Sequence, residues 1–237
     1  MLKLGLLVLL LQVFSFAQED WTISAPSQVS AVSGSCVVIP CSYSFPQTHR
    51  KIKNYLGIWK RSGDQMNVAS SRANYPLHVL YRGRTRFLGA VWKKKCTWVL
   101  ERLRGSDTGL YFFRIELPEF KSFSWTSQPT KLQVVDVKPP QLDLSSAEEP
   151  ADSGEPGFKR KFLAFCSLVH SCPIRPPVFS WSLSEGVQLS GVQQLDQWHW
   201  LTYSSVSFSL VNNRTVSLSC TASYPGGQQV SSTVQVV

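Results

Sequence analysis

Beyond one apolar run at its start, the chain breaks into short apolar or alternating stretches, with few helical periodicities. Val29–Pro40, Gly57–Lys60, Arg86–Leu88, Thr97–Leu103, Gly109–Leu117 and Thr130–Val137 each read as strands. Polar or Gly/Pro-bearing segments separate them. Many short strands at this spacing predict a sandwich or barrel. Lys138-Pro139-Pro140 breaks the pattern, and Ser145–Gly157, acidic and rich in small residues, reads as a loop. A second strand series then runs from Lys161 to Val237. The expected architecture is all-β, with two sandwich domains over residues 18–137 and 138–237.

The opening run is of a different kind. Met1-Leu2-Lys3 supplies one positive charge, Leu4–Phe16 is almost wholly apolar, and Ser15-Phe16-Ala17 ends it with small residues. That order predicts a secretory signal peptide over residues 1–17, cleaved after Ala17. The run is short for a bilayer span, and no other candidate follows it. Membrane association would therefore come only through a segment outside this chain. Secretion changes the reading of the cysteines. All six (Cys36, Cys41, Cys96, Cys166, Cys172 and Cys220) lie in the mature part, so disulfides are expected and no zinc-ligand spacing occurs. The formal charge of +9, or +8 without Lys3, is concentrated between His49 and Arg104 and favours anionic partners. Secretion argues against nucleic acid among them. Of the histidines His49, His78, His170 and His199, only His170 lies near a cysteine. No nucleophile elbow, metal-ligand spacing or phosphate loop is present, so no enzyme, metal or cofactor is expected.

Each half carries marks of the immunoglobulin fold. In the first, Cys41 is followed by Trp59, and Asp107-Thr108-Gly109-Leu110-Tyr111 matches the tyrosine corner leading into strand F. Arg86 stands where variable-type domains place an arginine that pairs with this aspartate, so an Arg86–Asp107 bridge is expected. In the second, Cys166, Trp181 and Cys220 follow in the cysteine, tryptophan, cysteine order. The expected types are V-set and then C2-set. One position departs from the pattern: Phe113 occupies the strand F site that normally holds a cysteine. Cys41 must then pair elsewhere, and Cys96, at the start of the neighbouring strand E, is the expected partner within one sheet. Cys166–Cys220 is the ordinary bridge of the second domain. Cys36, five residues before Cys41 and so on the opposite strand face, is left with Cys172, and that bond would tie the domains together.

These features together resemble the siglecs, the sialic-acid-binding immunoglobulin-like lectins. The similar segments are Ser35-Cys36-Val37-Val38-Ile39-Pro40-Cys41, Gly83-Arg84-Thr85-Arg86-Phe87-Leu88-Gly89, Gly109-Leu110-Tyr111-Phe112-Phe113-Arg114, and Cys166–Cys172 with Phe179-Ser180-Trp181. The resemblance implies a cell-surface or secreted lectin whose partners are sialylated glycoproteins or glycolipids such as gangliosides. It also implies that the essential arginine is Arg114. Strand parity agrees: Tyr111 and Phe113 share the inner face, so Arg114 faces out. A guanidinium offers two parallel N–H donors to a carboxylate, which sialic acid presents. The alternative is an Arg114 paired with Glu116, on the same face two residues along. The resemblance further implies Trp21 against the N-acetyl group, Phe120 (or else Phe123 or Trp125) on strand G, and the Ser124 hydroxyl. Pro118 and Glu119 depart from the expected strand G surroundings, because a carboxylate there would repel an anionic ligand. Asn213-Arg214-Thr215 is an N-glycosylation sequon.

Overall fold

The structure is a computed structural model that describes residues 20–149, 159–183, 186–211 and 215–237. The expected signal peptide and the sequon asparagine, Asn213, lie outside the described residues.

The first half is built from β1 (Thr22–Ser24), β2 (Gln28–Val32), β3 (Cys36–Ile39), β4 (Ser42–Ser44), β5 (Leu56–Arg61), β6 (Asn67–Ser70), β7 (Thr85–Phe87), β8 (Trp98–Glu101), β9 (Gly109–Glu116), β10 (Ser122–Ser124) and β11 (Thr130–Val135). One sheet has the order β2-β11-β9-β5-β6, with β10 also paired to β9; facing it are β3-β8-β7 and the β1-β4 pair. β10 and β11 take opposite ends of β9 as partner, Ser124 opposite Arg114 and Thr130 opposite Tyr111. The strand alongside β9 is thus interrupted between Trp125 and Pro129. Val29–Pro40 is not one strand as expected but two, β2 and β3. Gly34, at φ 76°, turns the chain between them and moves it from one sheet to the other.

Alternation fixes what the sheets bury. Trp59, Trp98, Tyr111 and Phe113 are fully buried. Trp59 stacks 5.4 Å from Trp98 and lies 5.8 Å from Phe113, and its Nε1 donates to the Cys96 carbonyl at 2.7 Å. Phe113 therefore fills the core position where an intersheet cysteine is expected. Its bulk constrains the neighbouring strand: a Cβ on Gly57 would lie 3.0 Å from the Phe113 ring and 2.7 Å from Val91. Cys41 bonds Cys96, bridging the ends of the paired strands β3 and β8 within one sheet.

The expected Arg86–Asp107 bridge does not form. Arg84 makes it instead, donating from Nη1 at 2.8 Å and Nη2 at 2.7 Å to the two Asp107 oxygens, with both side chains buried. The register explains the correction. β7 and β8 are antiparallel, and Asp107 follows the C-terminal end of β8, so the nearest part of β7 is its beginning. Arg86 lies opposite Val99, further from Asp107, and pairs with Glu101 at 2.8 Å near the surface. The hydrogen bond to Asp107 raises the Arg84 pKa further above its ordinary value, against a burial that would lower it. Asp107 also accepts the Arg104 N–H at 2.8 Å, and its carbonyl accepts the Tyr111 hydroxyl at 2.5 Å. The corner at the foot of β9 is thereby held rigid.

The second half comprises β12 (Gln141–Glu149), β13 (Lys159–His170), β14 (Val178–Trp181), β15 (Val187–Gln194), β16 (Trp200–Val211), β17 (Val216–Ser223) and β18 (Gln229–Val236). They form the sheets β12-β13-β16-β15 and β14-β17-β18, which makes a second immunoglobulin-like sandwich. Cys166 of β13 and Cys220 of β17 join its two sheets. Trp181 packs against its core and donates from Nε1 to Ser204 Oγ at 3.0 Å. Ser145–Gly157 was expected to be a loop; β12 instead continues through Glu149 in register with β13, and residues 150–157 lie outside the described residues. Pairing along β13 overrides the weak local strand preference of those residues.

Cys36 and Cys172 form the third disulfide, between the halves. Around it the Val38 N–H donates to the Ser171 carbonyl at 3.3 Å, and Ser171 Oγ donates to the Cys36 carbonyl at 3.3 Å. Cys36, Val38, Val99 and Cys172 make one small buried cluster.

Candidate functional site

The centre of the sheet face that looks away from the first core is occupied by Arg114 on β9. Residues directly opposite in an antiparallel pair share a face. Ser124 of β10 and Ile58 of β5 therefore flank Arg114 on either side, and Glu116 with its partner Ser122 follows along the strand. Ile58 is buried on this face and gives the arginine an apolar floor.

Arg114 Nε donates to Glu116 Oε1 at 2.8 Å, and Nη1 donates to Ser124 Oγ at 3.0 Å. Among the described residues no partner takes the Nη2 hydrogens. Nη1 carries two hydrogens, of which Ser124 takes one. Arg114 and Glu116 side chains are each 33% exposed. The arginine is thus held at Nε by a carboxylate and at Nη1 by a hydroxyl, while the edge that joins Nη1 and Nη2 keeps the Nη2 hydrogens without a partner among the described residues. That edge is the one a ligand carboxylate would meet with two parallel hydrogen bonds. The pairing with Glu116 that the sequence left as an alternative is made, and it uses Nε rather than a terminal nitrogen.

Tyr75 is a member of this neighbourhood that sequence reasoning did not find. Burial raises the pKa of its hydroxyl, the Glu116 charge raises it further, and Arg114 and Arg72 act the other way. It stays a neutral phenol at physiological pH. It reaches the site from the segment after β6, and no motif marks a single loop tyrosine.

The aromatic positions assemble on the other side of β10. Phe123 lies opposite Ile115, so its side chain points away from the Arg114 face. Trp21 stacks on Phe123 with ring centroids 4.8 Å apart and on Phe120 at 6.0 Å. Its carbonyl accepts the Trp125 Nε1 proton at 3.3 Å. Phe120 is not on a strand, as expected for a strand G contact, but in the turn between β9 and β10, where its N–H bonds the Leu117 carbonyl at 2.8 Å. Pro118 and Glu119 cause the difference by turning the chain before β10 begins. Glu119 is engaged in that turn, accepting the Asn54 amide at 2.6 Å. The structure thus brings Arg114 together with Ser124, and Trp21 together with Phe120, with β10 as the wall between the two groups.

Comparison with known proteins adds the following. The family model described as B-cell receptor CD22-like, first Ig-like, matches residues 31–137. Human sialic acid-binding Ig-like lectin 5 is 31% identical over 169 residues, covering 68% of this chain and 29% of that protein. Human myelin-associated glycoprotein is 27% identical over 220 residues, covering 86% of this chain and 32% of that protein. The chain therefore spans about a third of the length of these two relatives. Among solved structures, the first Ig domain of the mouse polymeric immunoglobulin receptor matches 49% of this chain and 96% of its own, at 27% identity and a TM-score of 0.35.

Proposed function

Because the chain belongs to the siglec family, we propose that it is a cell-surface lectin that binds terminal sialic acid and serves in adhesion or recognition. The observation that carries this reading is the Nη1–Nη2 edge of Arg114 on an exposed sheet face, held by Glu116 and Ser124. The sialic acid carboxylate takes the two terminal nitrogens. Ser124 and Tyr75 supply hydroxyls beside it. Trp21 and Phe120 offer an apolar contact to a ligand group that reaches over β10. The binding domain in this reading is the V-set unit of residues 18–137, and the C2-set unit of residues 138–237 supports it. The partners are sialylated glycoproteins or glycolipids such as gangliosides. Asn213 carries an N-glycan.

A single exposed charge-assisted contact contributes on the order of 1.5–3 kcal/mol. Each site is therefore weak, and arrays of receptor and glycan supply avidity. The test is binding of the Fc-fused chain to red cells before and after sialidase, with Arg114→Ala beside it. Loss of binding in both arms is the expected result. The Glu116 contact favours a second reading, in which Arg114 is structural and the same face binds a protein. Binding that survives both sialidase and Arg114→Ala would establish that reading instead.

A further inference from the structure

The basic charge of the first half is not spent at Arg114. β8 runs from Trp98 to Glu101, and Glu101 pairs with Cys36 next to the tie to the second half. The loop that leads into Trp98 therefore lies at the opposite, remote end of the first sandwich. It reads Val91-Trp92-Lys93-Lys94-Lys95. Trp92 is 66% exposed, the largest exposed aromatic surface among the described residues. The three lysines are exposed beside it. Beside this loop lies a cleft of about 450 Å³ whose lining includes Trp92, Lys53 and Arg72. None of these five cations forms an ion pair with an acidic side chain among the described residues.

The loop is a rigid mount. Val91 is buried, and its carbonyl accepts the Tyr43 hydroxyl at 2.7 Å. The Lys94 carbonyl accepts the Tyr43 N–H at 3.0 Å, and the next residue after Lys95 is the disulfide-bonded Cys96. Lys94 itself sits in the left-handed region at φ 59° and ψ 30°, where glycine or asparagine is favoured and lysine is uncommon. Lys94 is thus held at a backbone cost, with its ammonium 5.0 Å from the centre of the Phe45 ring, in a loop that the core holds still. Such conformations persist where the surroundings over-determine them and cluster at functional positions.

We propose that this tip is a second, sialic-acid-independent site for a sulfated polysaccharide. Sulfates repeated along a sugar chain match several separate ammonium groups, which act as hydrated point charges where a single carboxylate would call for a guanidinium fork. The exposed Trp92 face is suited to stack on a pyranose ring, and the concave cleft takes the adjoining residue of the chain. A lipid surface is the lesser match, because one tryptophan beside a recess gives little apolar area to insert.

The experiment is surface plasmon resonance of the whole chain on immobilised heparin at about 0.15 M salt, where exposed charges more than about 8 Å apart are already screened. Four proteins are compared: wild type, the triple variant K93S/K94N/K95S, Trp92→Ala and Arg114→Ala. Asparagine at 94 suits the left-handed backbone, and matching melting temperatures establish folding. Trp92→Ala changes an exposed side chain, so it keeps the test decisive should the triple variant misfold. The triple variant is expected to lose about tenfold or more in affinity, through the loss of three local charges. Trp92→Ala is expected to lose several-fold, while Arg114→Ala binds as wild type and desulfated heparin fails to compete. The proposal is overturned if wild type does not bind heparin, or if the triple variant and Trp92→Ala both bind it unchanged. It is equally overturned if Arg114→Ala abolishes the signal, or if phosphatidylserine vesicles bind and heparin does not. Sialoside binding by the triple variant, measured in parallel, keeps this outcome separate from that of the Arg114 site.

Discussion

Replacing Glu116 by glutamine separates an arginine that serves a ligand from one that serves only the fold. Glutamine keeps an oxygen acceptor where Oε1 receives Arg114 Nε at 2.8 Å, and it removes one negative charge. A ligand carboxylate on the Nη1–Nη2 edge of the guanidinium would lie roughly 6–7 Å from the Glu116 carboxylate. At that separation two like charges repel by about 0.6 kcal/mol in water and about 2.5 kcal/mol at an effective dielectric constant near 20. Both side chains are one-third exposed, so the lower figure applies. Glu116→Gln should therefore bind sialoside about threefold more tightly. The gain should shrink in high salt, where the repulsion is screened. The ion pair itself is a partly exposed one, so the stability loss should stay within about 1 kcal/mol. The assay is titration of a monovalent sialoside by NMR at low and high salt, with a thermal melt of each protein. A weaker affinity in Glu116→Gln would refute the reasoning, since it would mean that the carboxylate orients the arginine more than it competes with the ligand. An affinity that does not change with the substitution or with salt would refute it as well.

Two further outcomes test the frame around the site. Arg84→Ala leaves Asp107 buried without its partner and should cost about 3–5 kcal/mol, whereas Arg86→Ala breaks only the surface contact to Glu101 and should cost under about 1 kcal/mol; chemical denaturation of both checks the order. His170 accepts the Cys172 N–H at its Nδ1, so the neutral ring carries its proton on Nε2 and donates it to Thr202 Oγ1 at 2.8 Å. Burial lowers its pKa from 6.5 to about 4. The unfolded chain therefore binds the proton first, and the stabilisation is present above pH 6.5 and is lost as pH falls towards 4. At pH 5 the loss is about 2 kcal/mol, and melting curves at pH 7 and 5 should show a smaller drop for His170→Gln than for wild type.

The parts of the fold legible in the sequence were those that rest on local parity or on an absent residue. Phe113 in place of a strand F cysteine redirected Cys41 to Cys96, and the face opposite Cys41 left Cys36 for Cys172; the structure forms these bonds. Parity also set Arg114 on the outer face. Arg84 and Arg86 share a parity, so alternation does not choose between them for Asp107. The choice depends on the β7–β8 register, which only the assembled sheet supplies. Tyr75 and the stacking of Trp21 on Phe123 likewise come from long-range packing, with no spacing rule to announce them. Phe120 was expected on strand G, but β10 begins only at Ser122, after the turn through Pro118 and Glu119.

The bond between Cys36 and Cys172 makes the connection between the halves double. The peptide link runs through Asp136, Lys138 and Pro139, which are exposed and outside any strand. A protease that cuts there severs the backbone without parting the two sandwiches, because the disulfide cluster still holds them. Such a nick would be silent in size under oxidising conditions and would appear as two fragments only after reduction. Tension between a ligand at β9 and the chain end at Val237 has the same two routes, so the exposed linker need not carry the load alone.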